Sequence, residues 1–298
     1  MATEPQSLDD LRREIDEIDT ALHELLVRRG DAARALAAVE GGVSIRPGRE
    51  ARILRRLVAR NRGAFPASAM VRIWREIMGA FAAAQGPFAV AASAPQSGPD
   101  LRELARDHYG SRALVLASES TMGVLRAVAE GDATVGVLPL PHSDEGDPWW
   151  RSLTQLGERV PRIVARLPFA TLGAGSAAEI GALVVALAPH EDSGDDRSYL
   201  VLDTADQLSR GTVKSLLSEA GFEVLDVQTW NDGPDRRLHL IEVEGCVSDD
   251  DTRLAPLAAS EDAEGGTLRV IGGYAVPLTA EQLAAGSQTG SSLSGVGA

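Results

Sequence analysis

Arg12, Arg29, Arg49, Glu50 and Gln85 are the residues of the first 85 whose types could do chemistry together: three guanidiniums, a carboxylate and an amide. A guanidinium carries a planar fork of donors that grips a carboxylate through two bonds at once. Residues 1 to 85 contain no lysine and a slight excess of arginine over acid, inside a chain whose net charge is −14. An anionic small ligand would be drawn to that segment. The acidic balance of the whole argues against a nucleic-acid surface, which needs a positive field. Arg12 and Arg29 stand 17 residues apart on what reads as one helix. That is about 25 Å at the helical rise, so one chain cannot bring both to one small molecule. A site that uses both must combine two subunits.

The elements that position these residues follow from the pattern. Ser7 followed by Asp10 reads as a capping box, and Leu11, Ile15, Ile18, Leu22, Leu25, Leu26 and Leu36 then recur at helical spacing up to Gly41-Gly42. A helix of that length, about 50 Å, exceeds what a small domain needs and requires a partner along its extent. A second helix is expected from Arg49 to Asn61 after Pro47, and a third from Ala67 to Gln85, closed by Gly86-Pro87. Three helices of such unequal length close poorly on themselves, whereas two copies can bury the long ones against each other.

These segments carry a family resemblance. LRREIDEIDTALHELLVRRGD, RPGREARILRRL and VRIWREIMGAFAAAQ resemble the three helices of the helical class of chorismate mutases, including those fused to the N-terminus of bacterial prephenate dehydratases. The L-R-x-x-I-D-x-I-D opening, the Arg28-Arg29 pair, the Arg49-Glu50 pair and Gln85 occur in the family's order. The resemblance implies an all-α, intertwined homodimer whose active sites are shared between subunits. It implies an isomerase that converts chorismate to prephenate without a cofactor or a metal. Chorismate has two carboxylates, and its rearrangement breaks an ether C–O bond while forming a C–C bond; catalysis is holding the compact conformer and stabilising charge on the ether oxygen. By resemblance, Arg12 and Arg29 clamp the carboxylates with Arg49 in support, Glu50 holds the ring hydroxyl and Gln85 donates to the ether oxygen. Two positions depart from the family. Glu40 stands where a lysine is usual, and Arg46 falls where an acidic residue is sometimes found. Either Arg46 restores the missing positive charge, or the site is impaired. Phe81 occupies a position that is often small or hydroxyl-bearing, which narrows the pocket.

After Pro87 short β-rich runs alternate with helices: FAVAA at 88 to 92, ALVLA at 113 to 117 and ATVGVLPL at 133 to 140, with helices near 100–109 and 121–130. That order predicts an α/β lobe with a mostly parallel sheet, which RIVARL at 162 to 167 and ALVVALA at 182 to 188 could extend. From Tyr199 the order strand, helix, strand, strand, short helix (250–259), strand suggests a ferredoxin-like domain. GDATVGVLPLPHSDEG resembles a prephenate dehydratase segment whose Pro-Ile-Glu-Asn-Ser core has become Pro139-Leu140-Pro141-His142-Ser143. Arg197-Ser198-Tyr199 stands for that family's Thr-Arg-Phe motif, so the catalytic hydroxyl is displaced, and His142 is expected to be a solvated loop residue. Only about 50 residues separate Trp149-Trp150 from Tyr199, too few for the second lobe that closes a dehydratase cleft. No dehydratase activity is therefore expected. The last domain resembles the amino-acid-binding ACT module, with Gly211-Thr212-Val213-Lys214 and Gln228-Thr229-Trp230-Asn231 at its two altered motifs. Sheet-mediated dimerisation or effector binding are its two readings.

The expected organisation is a helical mutase domain at 1–86, a truncated dehydratase-like α/β domain at 87–195, an ACT-like domain at 196–285 and a disordered Gly/Ser-rich tail at 286–298. No run approaches the roughly 18 apolar residues of a membrane span, and MATEPQSLDDLRRE lacks an apolar signal core, so a cytoplasmic protein is expected. Cys246 is the only cysteine, which rules out an intrachain disulfide and a thiolate-rich zinc site; a buried small apolar role is expected for it. The competing functions are a noncatalytic aromatic-metabolite sensor or regulatory partner, and a working mutase–dehydratase.

Overall fold

The computed structural model describes residues 7–40, 45–143, 145–155, 159–170, 180–204, 208–233, 236–254 and 266–285. The side chains of Glu40 and Ala285 and the tail at 286–298 lie outside the described residues, so the expectations for Glu40 and for the tail fall there too.

Helix α1 (Leu8–Glu40) begins where Ser7 and Asp10 cap each other: the Asp10 amide donates to Ser7 Oγ at 3.2 Å and the Ser7 amide to Asp10 Oδ2 at 3.3 Å. Helix α2 (Pro47–Arg60) opens on a proline at its first turn, and α3 (Ala67–Gln85) ends at Gly86. Helices α2 and α3 turn a stripe inward at helical spacing: Gly48, Ala51, Leu54 and Val58 on one, Ala67, Val71, Arg75 and Met78 on the other. This stripe packs on Phe169, Ala170, Ala275 and Leu278 of the body that follows. Helix α1 behaves differently. Every residue from Ser7 to Arg28 is exposed, and Ile15, Ile18, Leu22 and Leu25 each leave more than half of their surface in water. An apolar stripe of that length left exposed among the described residues needs another surface to bury it.

Strands β1 (Ala89–Ser93), β2 (Leu114–Ser118) and β3 (Val135–Pro139) alternate with α4 (Arg102–Tyr109) and α5 (Thr121–Glu130). Then come a 3-10 turn at Trp149–Thr154, β4 (Arg162–Leu167), β5 (Ala182–Ala186), β6 (Asp196–Thr204), α6 (Arg210–Glu219), β7 (Val224–Asn231), β8 (Arg237–Glu244), β9 (Thr267–Ala275) and α7 (Ala280–Ala285). The strands form one nine-stranded sheet in the order β2-β1-β3-β5-β4-β9-β6-β8-β7. β2, β1 and β3 are parallel, as crossovers through α4 and α5 require. The expected extension by β4 and β5 is present, but both join antiparallel to their neighbours on the first half of the sheet, so that half is mixed. β5 lies between β4 and β3 and runs opposite to both. β9, β6, β8 and β7 are antiparallel in the order a ferredoxin-like unit takes, and most of its expected second helix, at 255–259, lies outside the described residues.

The two halves meet where Ile163 of β4 pairs with Gly272 of β9 and, further along, where Ala170 bridges to Leu278. Gly272 has φ +119°, and a Cβ there would lie 2.1 Å from the Ile163 carbonyl oxygen, so only glycine allows this approach. One core runs across the join, with Trp149, Trp150, Ile163 and Leu183 packed among Tyr199, Leu240, Ile271 and Tyr274. Both tryptophans are buried in it, and the Trp149 indole donates to the Pro139 carbonyl at 3.2 Å.

The end of α4 and the loop before β6 dock the helical segment onto this body. At one, Gly79 of α3 lies so close to Tyr109 that an added Cβ would fall 1.8 Å from the Tyr109 carbonyl oxygen. Because that neighbour is backbone, Gly79→Ala is expected to lower stability by about 1–3 kcal/mol, read as a reduced denaturation midpoint at unchanged m. At the other, Arg55 of α2 donates to the carbonyls of Ser193, Asp195 and Val276 at 3.1, 2.8 and 2.7 Å. That loop is tied internally by Asp196, which accepts from the Ser193 amide and hydroxyl, both at 2.7 Å, and faces His190 Nε2 at 3.3 Å. Burial by itself would raise the Asp196 carboxyl, but the bonds from His190 and Ser193 outweigh it and hold it down to about 2. Its folded value lies below the unfolded one, so its contribution is full above about pH 4 and is lost as pH falls towards 2. Asp196→Asn is expected to cost about 1–3 kcal/mol at pH 7 and to flatten the fall in melting temperature across that window. Cys246 is half-buried rather than enclosed, with its Sγ 3.5 Å from His190 Nδ1. Burial and the nearby Asp196 and Asp192 push its thiol up to about 11, so it is no thiolate nucleophile at neutral pH.

Candidate active site

A cavity of about 260 Å³ opens between the C-terminal part of α1, the start of α2 and the end of α3. Arg29, Arg46, Arg49, Glu50, Phe81 and Gln85 line it over an apolar floor that includes Leu36, Ile53 and Met78. Six of the seven residues singled out from the sequence thus converge on one cavity. Arg12, the seventh, does not. It lies in the exposed part of α1, with its guanidinium 3.4 Å from Asp9.

The local geometry follows from side-chain size. Gly30 leaves room for the Phe81 ring, whose Cε1 would lie 2.9 Å from a Cβ at that position. The ring in turn supports the Arg29 guanidinium, which stacks 4.7 Å above its centroid. Phe81 therefore forms the bed under an arginine as well as narrowing the space. Burial lowers the Arg29 pKa, the Glu50 charge opposes that and the Arg49 charge adds to it, which places the three groups in one electrostatic neighbourhood. Gln85 Nε2 donates to the Ala33 carbonyl at 3.3 Å, so the amide is oriented by the backbone of α1. Arg46 Nε donates to Glu191 Oε1 at 2.8 Å, a carboxylate from the loop before β6. Part of the positive charge that Arg46 brings is thereby offset from outside the helical segment.

Arg75 escaped sequence reasoning. It is buried and its Nη1 donates to Glu50 Oε2 at 2.7 Å. Its signal was available: a charge at an inward position of α3, in register with Ala67, Val71 and Met78. In the body, His142 is exposed in its loop. Ser198 is fully buried, with its hydroxyl donating to the Gly245 carbonyl at 2.8 Å and accepting the Val247 amide at 2.9 Å. Among the described residues no group of histidine, cysteine and acidic side chains could hold a metal ion, and no helix is long and apolar enough to cross a membrane.

Three helices around an arginine-lined cavity define an all-helical module. Residues 11–86 match the family model described as chorismate mutase type II, and this segment is a chorismate mutase domain of that type, an isomerase family. Two curated relatives are bifunctional chorismate mutase/prephenate dehydratases. The one from Neisseria gonorrhoeae is 32% identical over 146 residues, covering 47% of this chain and 40% of the relative. The one from Pseudomonas aeruginosa is 33% identical over 154 residues, covering 49% and 42%. Both alignments are longer than the family match and so extend beyond the three helices, yet the chain spans only about two fifths of the length of these relatives. Among solved structures, the prephenate dehydratase of Streptococcus mutans has a TM-score of 0.43 at 16% identity, over 64% of this chain and all of that one. That of Staphylococcus aureus has a TM-score of 0.44 at 10% identity, over 63% of this chain and all of that one.

Proposed function

We propose that this protein is a chorismate mutase that works as a homodimer in the cytoplasm, each active site combining Arg29, Arg49, Glu50 and Gln85 of one subunit with Arg12 of the other. The observation that carries this reading is the convergence of those four residues on one cavity within the segment that matches the mutase family. Arg12 supports the shared site by its distance, about 25 Å from Arg29 along α1. The uncovered apolar stripe of α1 supports a second copy as its cover.

In this reading Arg29 and the partner subunit's Arg12 each grip a carboxylate of chorismate, holding the two ends of the molecule close enough for the new C–C bond to form. Glu50 accepts from the ring hydroxyl. Gln85, fixed through Ala33, donates its remaining N–H to the ether oxygen as the C–O bond lengthens and charge develops there. No proton is transferred and no covalent intermediate forms. Arg46 adds cationic character to the wall, moderated by Glu191.

The α/β body has no dehydratase activity in this proposal. The buried Ser198 hydroxyl is committed to backbone partners, and the described residues between the tryptophan pair and β6 form β4 and β5 within the one sheet. The competing reading, a noncatalytic sensor of an aromatic metabolite, is favoured by Glu40 at the usual lysine position and by the Arg46–Glu191 pair. One assay separates them. Chorismate loss with prephenate formation and no phenylpyruvate is the expected result; binding without chorismate loss would make the protein a sensor, and phenylpyruvate would make it bifunctional.

A further inference from the structure

Arg75 has the properties of a part made for one task. Only about 6% of its surface is exposed, and Glu50 is its ion-pair partner at 2.7 Å. Its guanidinium lies 5.2 Å above the ring of Phe169, a residue of the α/β body, and is lodged near His108 and Tyr109 at the end of α4. Burial and the Arg75 charge hold His108 well below its ordinary value, so it stays neutral and does not compete for Glu50. The arginine end is buried while the Glu50 side chain keeps 34% of its surface exposed towards the cavity, so the bond is charge-assisted and anchored from its dry side. Glu50 is thus fixed at Oε2, whereas Oε1 takes no hydrogen bond among the described residues and is left for a donor on a ligand.

We infer that Arg75 is a positioning residue for the mutase cavity: it sets the orientation in which the Glu50 carboxylate meets the ring hydroxyl of the substrate. The inference rests on the mutase reading above. It goes further in giving the chemistry a support outside the cavity wall, sealed by Phe169, which lies beyond residues 11–86. Arg75 touches no substrate. Its effect passes through Glu50 alone, and this separates positioning from a general role in packing.

A double-mutant cycle on the full chain tests it. Arg75→Met is expected to lower kcat for chorismate by about 10–100-fold with a smaller change in KM, because a misplaced group costs more in the transition state than in binding. Arg75→Lys, which keeps the charge and loses the fork, should recover part of that loss. On a Glu50→Gln background Arg75→Met should cost no more than about twofold further, since the group it positions is already gone. If Arg75→Met fails to fold, by circular dichroism and thermal unfolding, the Arg75→Lys and Glu50→Gln/Arg75→Lys pair carries the same comparison. If the parent binds chorismate without converting it, the cycle is read in dissociation constants with chorismate as the probe. A parent that neither binds nor converts chorismate overturns the mutase reading and this inference with it. A working parent in which the Arg75 substitutions are silent, or cost as much without Glu50 as with it, overturns the inference alone.

Discussion

Arg29→Ala is expected to lower kcat/KM for chorismate by about 10²–10³-fold, the effect of removing one preorganised donor aimed at a charged group in a partly dry site. Arg29 is half-buried, and its guanidinium lies over Phe81, 4.7 Å from the centroid of a ring that Gly30 leaves room for. The fork therefore has a set direction before ligand arrives, and the ordering entropy is met in folding rather than in binding. Arg29→Lys keeps a charge but loses the planar fork and the stacking, so it should recover only a minor part of the loss. Steady-state rates of chorismate consumption for the parent and the two variants decide the matter. An Arg29→Ala protein within about threefold of the parent would remove Arg29 from the site.

Mixing two inactive proteins is expected to restore activity. Arg12→Ala and Arg29→Ala homodimers each carry a lesion in both sites, if every site takes Arg29 from one subunit and Arg12 from the other. In a mixed dimer both lesions fall in one site and the other is intact. Random exchange makes about half of the dimers mixed, so about a quarter of the parental sites return. If each chain used its own Arg12, both sites of a mixed dimer would stay defective and mixing would recover nothing. The structure motivates the experiment twice over: Arg12 is not among the residues that line the cavity, and the α1 surface around it leaves Leu11, Ile15, Ile18 and Leu22 exposed among the described residues. The measurement is activity after co-refolding, scaled to total protein.

The sequence by itself determined what depends on near neighbours. Capping by Ser7 and Asp10, the stop at Gly86 and the 3.6-residue apolar period set α1 and α3, and the third helix has the expected bounds, Ala67–Gln85. Most strand positions were legible to within a residue or two, since alternating and continuous apolar runs report burial; β6 begins three residues before the expected Tyr199, at the polar Asp196-Arg197-Ser198. Spacing along α1 was also enough to separate Arg12 from Arg29, because helical rise is a fixed length. Strand direction was not legible: that β5 runs antiparallel between β3 and β4 depends on how the chain returns, which no local pattern encodes. The same holds for the setting of the cavity. Arg46 meets Glu191 across 145 residues of chain, Arg55 reaches Val276 across 221, and Arg75 lies against Phe169 only after α3 has packed on the body. Each of these contacts is long-range and made by a side chain whose type permits many partners. Helix periodicity could name the arginines, but tertiary packing alone chose which carboxylate each one holds and which are left to meet a ligand.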